Sequence, residues 1–208
     1  MKLHTRLFFF AVCLAVFGCT LSAYALDTGK SYQYNQRGQS VAAPAGYVCR
    51  QVIYGEELGI GSLNKPQDLA VDEEGRLYIA DTGNNRIVVL QEDLSLERVI
   101  DSVMLPQGEA QPLTAPEGVW AADGLLYICD TGAGRVIAID EEGSVRRTLL
   151  MPETDLLTED AEYKPSKVTV NDVGTVYIAA SGIYQGLIQY DEANNFLGFF
   201  GANKVEVT

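Results

Sequence analysis

A chain of 208 residues with 28 acidic and 15 basic side chains carries a net charge of −13, and a surface of that sign repels phosphate backbones, which argues against a nucleic-acid partner. Its one histidine, His4, lies near the N-terminus, so no Ser-His-Asp or Cys-His constellation and no histidine-ligated zinc can be assembled from the remainder. Such acidity favours solubility and tolerates a divalent cation, but nothing marks out a ligand set, so no cofactor or metal is expected.

Residues 1–25 read as a secretory signal. Lys2 and Arg6 supply the basic start, Leu7 to Gly18 the apolar stretch, and Ala23-Tyr24-Ala25 a small-x-small cleavage site. The apolar stretch is too short for a membrane-spanning helix. The localisation expected is therefore secreted or extracytoplasmic, with no transmembrane span. Val16-Phe17-Gly18-Cys19 gives a competing lipoprotein reading with Cys19 acylated, although Phe17 is bulky for it and apolar residues follow. Setting these 25 residues aside leaves 183 and removes two basic side chains, which takes the net charge from −13 to −15.

Residues 26–46 are rich in Gly, Ser, Gln, Ala and Tyr without a period and read as a flexible leader. Tyr47 to Tyr54 is β-branched and aromatic, ends at Gly55, and predicts a strand. From there to Thr208 the chain repeats itself. Leu77-Tyr78-Ile79-Ala80-Asp81-Thr82-Gly83 returns as Leu126-Tyr127-Ile128-Cys129-Asp130-Thr131-Gly132, each followed three residues later by an arginine, Arg86 or Arg135. A third copy, Val176-Tyr177-Ile178-Ala179-Ala180-Ser181-Gly182, loses both the Asp and the Arg. Pro66, Pro116 and Pro165 open the three units at steps of 50 and 49 residues. Recurrence at that period marks a radial or stacked β architecture.

Each unit predicts four strands. They are 67–71, 76–81, 86–90 and 96–102; then 118–122, 125–130, 135–140 and 145–150; then 167–171, 175–180, 186–190 and 196–201. Short turns bearing Gly or Asn separate them, so each unit is an antiparallel meander. The second strand of every unit is apolar on consecutive residues and must be covered on both faces, which stacked meanders achieve. Cys49 and Cys129 are the only cysteines after the signal and could pair outside the cytoplasm, yet Cys129 stands where Ala80 does and reads as a small buried residue.

The run from Pro66 to Asp72, then Gly75-Arg76-Leu77-Tyr78-Ile79-Ala80-Asp81-Thr82-Gly83-Asn84-Asn85-Arg86-Ile87, resembles an NHL repeat. The second unit matches through Pro116, Gly118-Val119, Tyr127 to Gly132 and Arg135-Val136; the third matches from Pro165 to Ala179 and then departs. The resemblance covers about residues 63–201. It implies an all-β fold of three four-stranded antiparallel propeller blades, at about 63–102, 113–150 and 162–201, plus an N-terminal strand, as part of a six-bladed ring. Four units at this spacing would already exceed 183 residues, so the expectation is an incomplete ring with a bare apolar blade face at each end. A sequence truncated after Thr208, self-association of half rings, or a marginally stable arc would each account for it.

Asp81 with Arg86 and Asp130 with Arg135 read as structural turn pairs, the carboxylate accepting N–H groups of the Thr-Gly turn and facing the guanidinium; their joint loss in the third unit suits coupled partners. Turns between first and second and between third and fourth strands share one end of a blade. That end gathers Asp72, Glu73, Glu74, Asp123, Asp140, Glu141, Glu142, Asp191 and Glu192 into a solvated acidic face. The opposite end would carry the Asp-to-Arg turns and the connectors 104–115 and 151–164. The resemblance places ligands on a face of that kind, with Arg86, Arg135, Tyr163, Tyr184 and Gln185 as candidate contacts. Trp120, on an innermost strand, reads as packing between blades. The function implied is a secreted, non-catalytic scaffold for a protein or carbohydrate partner, with missing blades or a second copy covering the open faces. The alternative is a portion of a metal-dependent lactonase-like hydrolase or lyase, for which no catalytic residue stands out.

Overall fold

A computed structural model describes residues 31–43, 51–158 and 160–201, and the chain divides into two compact units, one ending at Val52 and the other beginning at Ile53. Residues 1–25, read above as a signal, with Cys19, and also Cys49, lie outside the described residues.

In the first unit, β1 (Ser31–Tyr34) and β2 (Ser40–Ala43) pair antiparallel, Ser31 opposite Ala43. The turn is held by Asn35, whose Oδ1 accepts the N–H groups of Arg37 at 2.9 Å and Gln39 at 3.0 Å. A polar stretch without apolar alternation thus forms a hairpin inside what composition read as an irregular leader. Gln51 to Tyr54, the described part of the strand predicted at 47–54, is not strand.

The second unit contains three four-stranded meanders. The first is β3 (Asp68–Val71), β4 (Leu77–Asp81), β5 (Arg86–Leu90) and β6 (Leu96–Ile100). Then come β7 (Ser102–Met104) and β8 (Ala110–Pro112), a separate two-stranded sheet. The second meander is β9 (Pro116–Ala122), β10 (Leu125–Asp130), β11 (Arg135–Ile139) and β12 (Val145–Leu149). The third is β13 (Lys164–Val170), β14 (Val176–Ser181), β15 (Leu187–Tyr190) and β16 (Phe196–Phe200). Each sheet is ordered as its strands follow in sequence. Each also carries a bulge at the same place, between its third and fourth strands at Val89/Leu90, Ala138/Ile139 and Gln189/Tyr190, which sharpens the twist of a blade.

The consecutive apolar residues of the second strands are divided between two cores, because side chains alternate across a strand. Leu126 and Ile128 of β10 pack with Tyr78, Ala80, Ile87 and Val89 of the first blade. Their neighbours Tyr127 and Cys129 face the other way, onto Val168, Val176, Ile178 and Ile188 of the third. The meanders therefore stack face to face as blades. At about 1.5–3 kcal/mol for each large side chain, these two cores are the main force joining them. The outer face of the first blade is not bare as expected: Leu58, Ile60 and Leu63 lie over Ile79, Val88 and Leu90. On the third blade the uncovered side carries Phe200 in edge contact with Tyr177, ring centroids 5.8 Å apart.

The connector after the first blade was expected as a loop at the Asp-to-Arg end. It is the β7–β8 hairpin, with Val103 and Leu113 buried in the first core. Gln111 meets Arg135 of the second blade, while the N–H of Met104 donates to Gly143 O at 2.8 Å in the β11–β12 turn.

Candidate ligand-binding face

The Asp-to-Arg turns build a lock, repeated in the first two blades. Asp81 is fully buried; its Oδ1 accepts the N–H of Asn64 at 2.6 Å, and its Oδ2 accepts Arg86 Nε at 2.7 Å and Asn84 Nδ2 at 2.8 Å. Gly83 N–H returns a bond to Asn64 O at 2.8 Å, and Arg86 Nη1 reaches Ile60 O at 2.9 Å. In the second blade Asp130 accepts Thr114 N–H at 2.7 Å and Arg135 Nε at 2.8 Å, Gly132 N–H bonds Thr114 O at 2.8 Å, and Arg135 Nη1 meets Gln111 Oε1 at 2.5 Å. Each Asp pairs with its Arg, and the N–H donors to its carboxylate are not those of the Thr-Gly turn. They belong to the connector entering each blade, which the lock clamps. Glycine is required at the turn, since a Cβ on Gly83 or Gly132 would stand 2.8 or 2.7 Å from the clamped carbonyl. The threonine of each lock ties its blade to the next: Thr82 Oγ1 donates to Pro116 O and Thr131 Oγ1 to Pro165 O, both at 2.6 Å.

Arg86 and Arg135 are thereby committed to the fold. Tyr163 occupies the clamped position of Asn64 and Thr114, and it packs against the second core with its hydroxyl buried and without a hydrogen-bond partner among the described residues. Burial pushes its phenol well above the ordinary range. Three of the five candidate contacts therefore face inward.

The third blade lacks the lock. Pro165 pairs with Ala180, as Pro116 does with Asp130 in the second blade, and here the pairing runs one residue further, to Lys164 and Ser181. What replaces the arginine tether is Gln185. Its Nε2 donates to Leu156 O at 2.9 Å, as Arg86 does to Ile60 and Arg135 to Gln111, and its Oε1 accepts the N–H of Tyr184 at 3.0 Å. Held this way, the turn and the connector enclose a cleft of about 400 Å³ lined by Leu157, Thr158, Asp160, Ala161, Glu162, Gly182, Tyr184 and Gln185. Tyr184 is 93% exposed, the freest aromatic ring of the described residues. The structure thus brings Tyr184 and Gln185 together, and adds Asp160 and Glu162, which the sequence reading missed. The Lys164 ammonium pairs with Glu162 and holds that carboxyl below its ordinary range.

The other end of the blades is acidic, as the turn positions required, but its carboxylates are partly bonded. Asp72, Asp140 and Asp191 close their own turns by accepting the N–H groups of Arg76, Ser144 and Asn195. Burial raises the Asp72 carboxyl, and bonds from Arg76 Nε at 2.6 Å, Arg76 N–H and Tyr78 hydroxyl outweigh it, so it sits below the usual range. Arg76 also meets Glu141 of the next blade at 3.1 Å. Two further arginines, 49 residues apart, brace successive blades: Arg98 to Glu141 O, and Arg147 to Asp191 O at 2.7 Å. Their recurrence at the repeat period was the signal available for them. Trp120 is 38% exposed rather than packed between blades. Near it, Lys167 of β13 reaches across Gly118 to Asp68 of β3 at 2.6 Å. Among the described residues no three His, Cys, Asp or Glu side chains gather as a metal site, and no helix is long and apolar enough to cross a membrane.

Residues 63–90 match the model of the NHL repeat. No curated protein matches the sequence. Solved structures similar in fold include a streptogramin B lyase, 13% identical over 82% of this chain and 47% of that one, with a TM-score of 0.48. Hydrazine synthase of Kuenenia stuttgartiensis is 15% identical over 76% of this chain and 40% of that one, TM-score 0.49. The extracellular domain of a hybrid two-component system from B. thetaiotaomicron is 12% identical over 80% and 21%, TM-score 0.49. This chain spans less than half the length of each of these three. With residues 63–90 matched as a repeat, and two more units built on the same strand order and bulge, of which the second also has the lock, the chain carries an NHL repeat and folds as four-stranded blades of the β-propeller kind.

Proposed function

We propose that this chain belongs to a secreted or envelope-associated propeller that acts as a non-catalytic binding scaffold for a protein or glycan partner, its blades forming part of a six-bladed ring. The observation that carries this reading is the cleft of the third blade. Two blades close their Asp-to-Arg turns with buried ion pairs, whereas the third substitutes a neutral tether and exposes Tyr184 beside an open cavity of about 400 Å³. Exposed aromatic rings on loops held by a rigid scaffold are a recurrent means of gripping partners at low conformational cost. The signal at residues 1–25 supports an extracytoplasmic partner.

Peptide and glycan arrays probed with the full-length chain test the reading, with Tyr184→Ala as the comparison. Capture that is saturable and reduced by Tyr184→Ala is expected. An absence of capture on either array, or capture indifferent to Tyr184, would refute it.

A further inference from the structure

Resting on the reading of that cleft as a binding site, the geometry points to a partner protein that inserts a basic side chain, the guanidinium or ammonium lying between the Tyr184 ring and the carboxylates of Asp160 and Glu162. The chemistry on offer is one-sided. Both ends of the Gln185 amide are already bonded, to Leu156 O and to the N–H of Tyr184, so this side chain positions the cleft rather than reading a ligand. Among the described residues the rest of the lining is an exposed ring, the carboxylates of Asp160 and Glu162 and the Thr158 hydroxyl, with no Lys or Arg; the Glu162 carboxylate is shared with the Lys164 ammonium.

A ring face and carboxylates together attract a cation, and the ring binds guanidinium and ammonium groups through its quadrupole. Leu157 and Ala161 supply apolar wall for the methylene stem of such a side chain. One of the two carboxylates already shows the interaction: the ammonium of Lys164, itself half-exposed, is paired with Glu162 at the rim. Lys164 thus competes with an incoming cation for Glu162, although it does not itself line the cavity. A glycan is less well served, because a sugar chain uses successive aromatic platforms and Tyr184 is the only aromatic lining the cleft among the described residues. The net charge of −13 steers a basic partner toward this surface.

The test titrates N-acetyl-arginine amide into the full-length chain while the Tyr184 ring is followed by NMR, with N-acetyl-citrulline amide as the uncharged isostere and chitotriose as the glycan probe. The arginine probe is expected to shift the ring saturably and the citrulline probe to bind several-fold more weakly. Tyr184→Ala, followed through the backbone amide of Gln185, weakens arginine binding roughly two- to fivefold. Asp160→Asn weakens it about twofold, and Lys164→Gln, which frees Glu162, strengthens it by about the same factor. Equal binding of citrulline, or a ring moved by chitotriose and not by arginine, overturns the basic partner but leaves a binding cleft. A ring that responds to none of the three overturns the cleft as the place of recognition, even where an array detects a partner. Empty arrays remove the scaffold reading itself.

Discussion

Replacing Asp130 by Ala strikes a fully buried charge. The carboxylate has no exposure and holds the Thr114 N–H and Arg135 Nε, and the Arg135 side chain is itself only 9% exposed. Truncation leaves a buried guanidinium with Gln111 as its remaining side-chain contact and frees the connector that enters the second blade. Removing one member of such a pair is expected to destabilise by about 3–5 kcal/mol, mostly because the other charge is stranded. For a domain of this size that lowers the melting temperature by roughly 6–20 °C. The double replacement Asp130→Ala/Arg135→Ala removes the stranded charge and leaves chiefly the Thr114 N–H without its acceptor, about 1–3 kcal/mol, so it is the milder variant. The corresponding change at Asp81 is smaller, since the Arg86 side chain is 15% exposed and better able to reach water. Urea unfolding followed through Trp120, the only tryptophan, gives each midpoint, and an unchanged slope confirms that the native state is what moved. A loss below about 1 kcal/mol for Asp130→Ala, or a double variant no more stable than the single one, would show that the pair is not a coupled lock.

Three further outcomes follow from the same packing. Gly118→Ala places a Cβ 2.5 Å from Ser166 O and 3.0 Å from Cys129 Sγ, so it forces the second and third blades apart and should destabilise by about 1–3 kcal/mol in the same urea assay; an unchanged midpoint refutes the contact. Cys129 is buried and its thiol is pushed far above the ordinary range, so peptide mapping after iodoacetamide treatment should find it unlabelled in the folded protein and labelled in urea, whereas labelling at the rate of a free thiol would contradict its burial. The Asp72 carboxyl is lowered from an ordinary value of 3.8, so its contribution is complete above that value and is lost as pH falls through the folded one. Asp72→Asn should therefore lower stability near neutrality and flatten that acid limb, and identical limbs for the two proteins would count against the bonds from Arg76 and Tyr78.

The blades were legible because their signal is local and repeated. Leu126, Tyr127, Ile128 and Cys129 are apolar in succession, and only a strand covered on both sides tolerates that; the two cores are the result. The β7–β8 hairpin was not legible, because its strands carry little apolar alternation and it is fixed by tertiary bonds such as that from Met104 to Gly143. The same holds for the clamp. Sequence spacing linked Asp81 to Arg86 five residues away, but Asn64 and Thr114 donate across 17 and 16 residues from segments with no motif of their own.

The cleft lies where these two kinds of information meet. Loss of Asp and Arg in the third unit could be read directly as Ala180 and Gln185-Gly186, and it marked the turn as different. Its consequence could not be read, because it depends on what then holds the connector away from the sheet. In the first two blades a guanidinium reaches 26 and 24 residues back to the entering segment, and in the third the Gln185 amide reaches 29 residues back to Leu156. An amide tether carries no charge and needs no buried carboxylate beneath it; Asp160 and Glu162 of this connector line the cavity, Glu162 paired with Lys164. Exchanging an ion-pair lock for a neutral one therefore does two things at once: it keeps the connector in place, and it turns a sealed turn into an open, negatively charged cleft with Tyr184 at its edge.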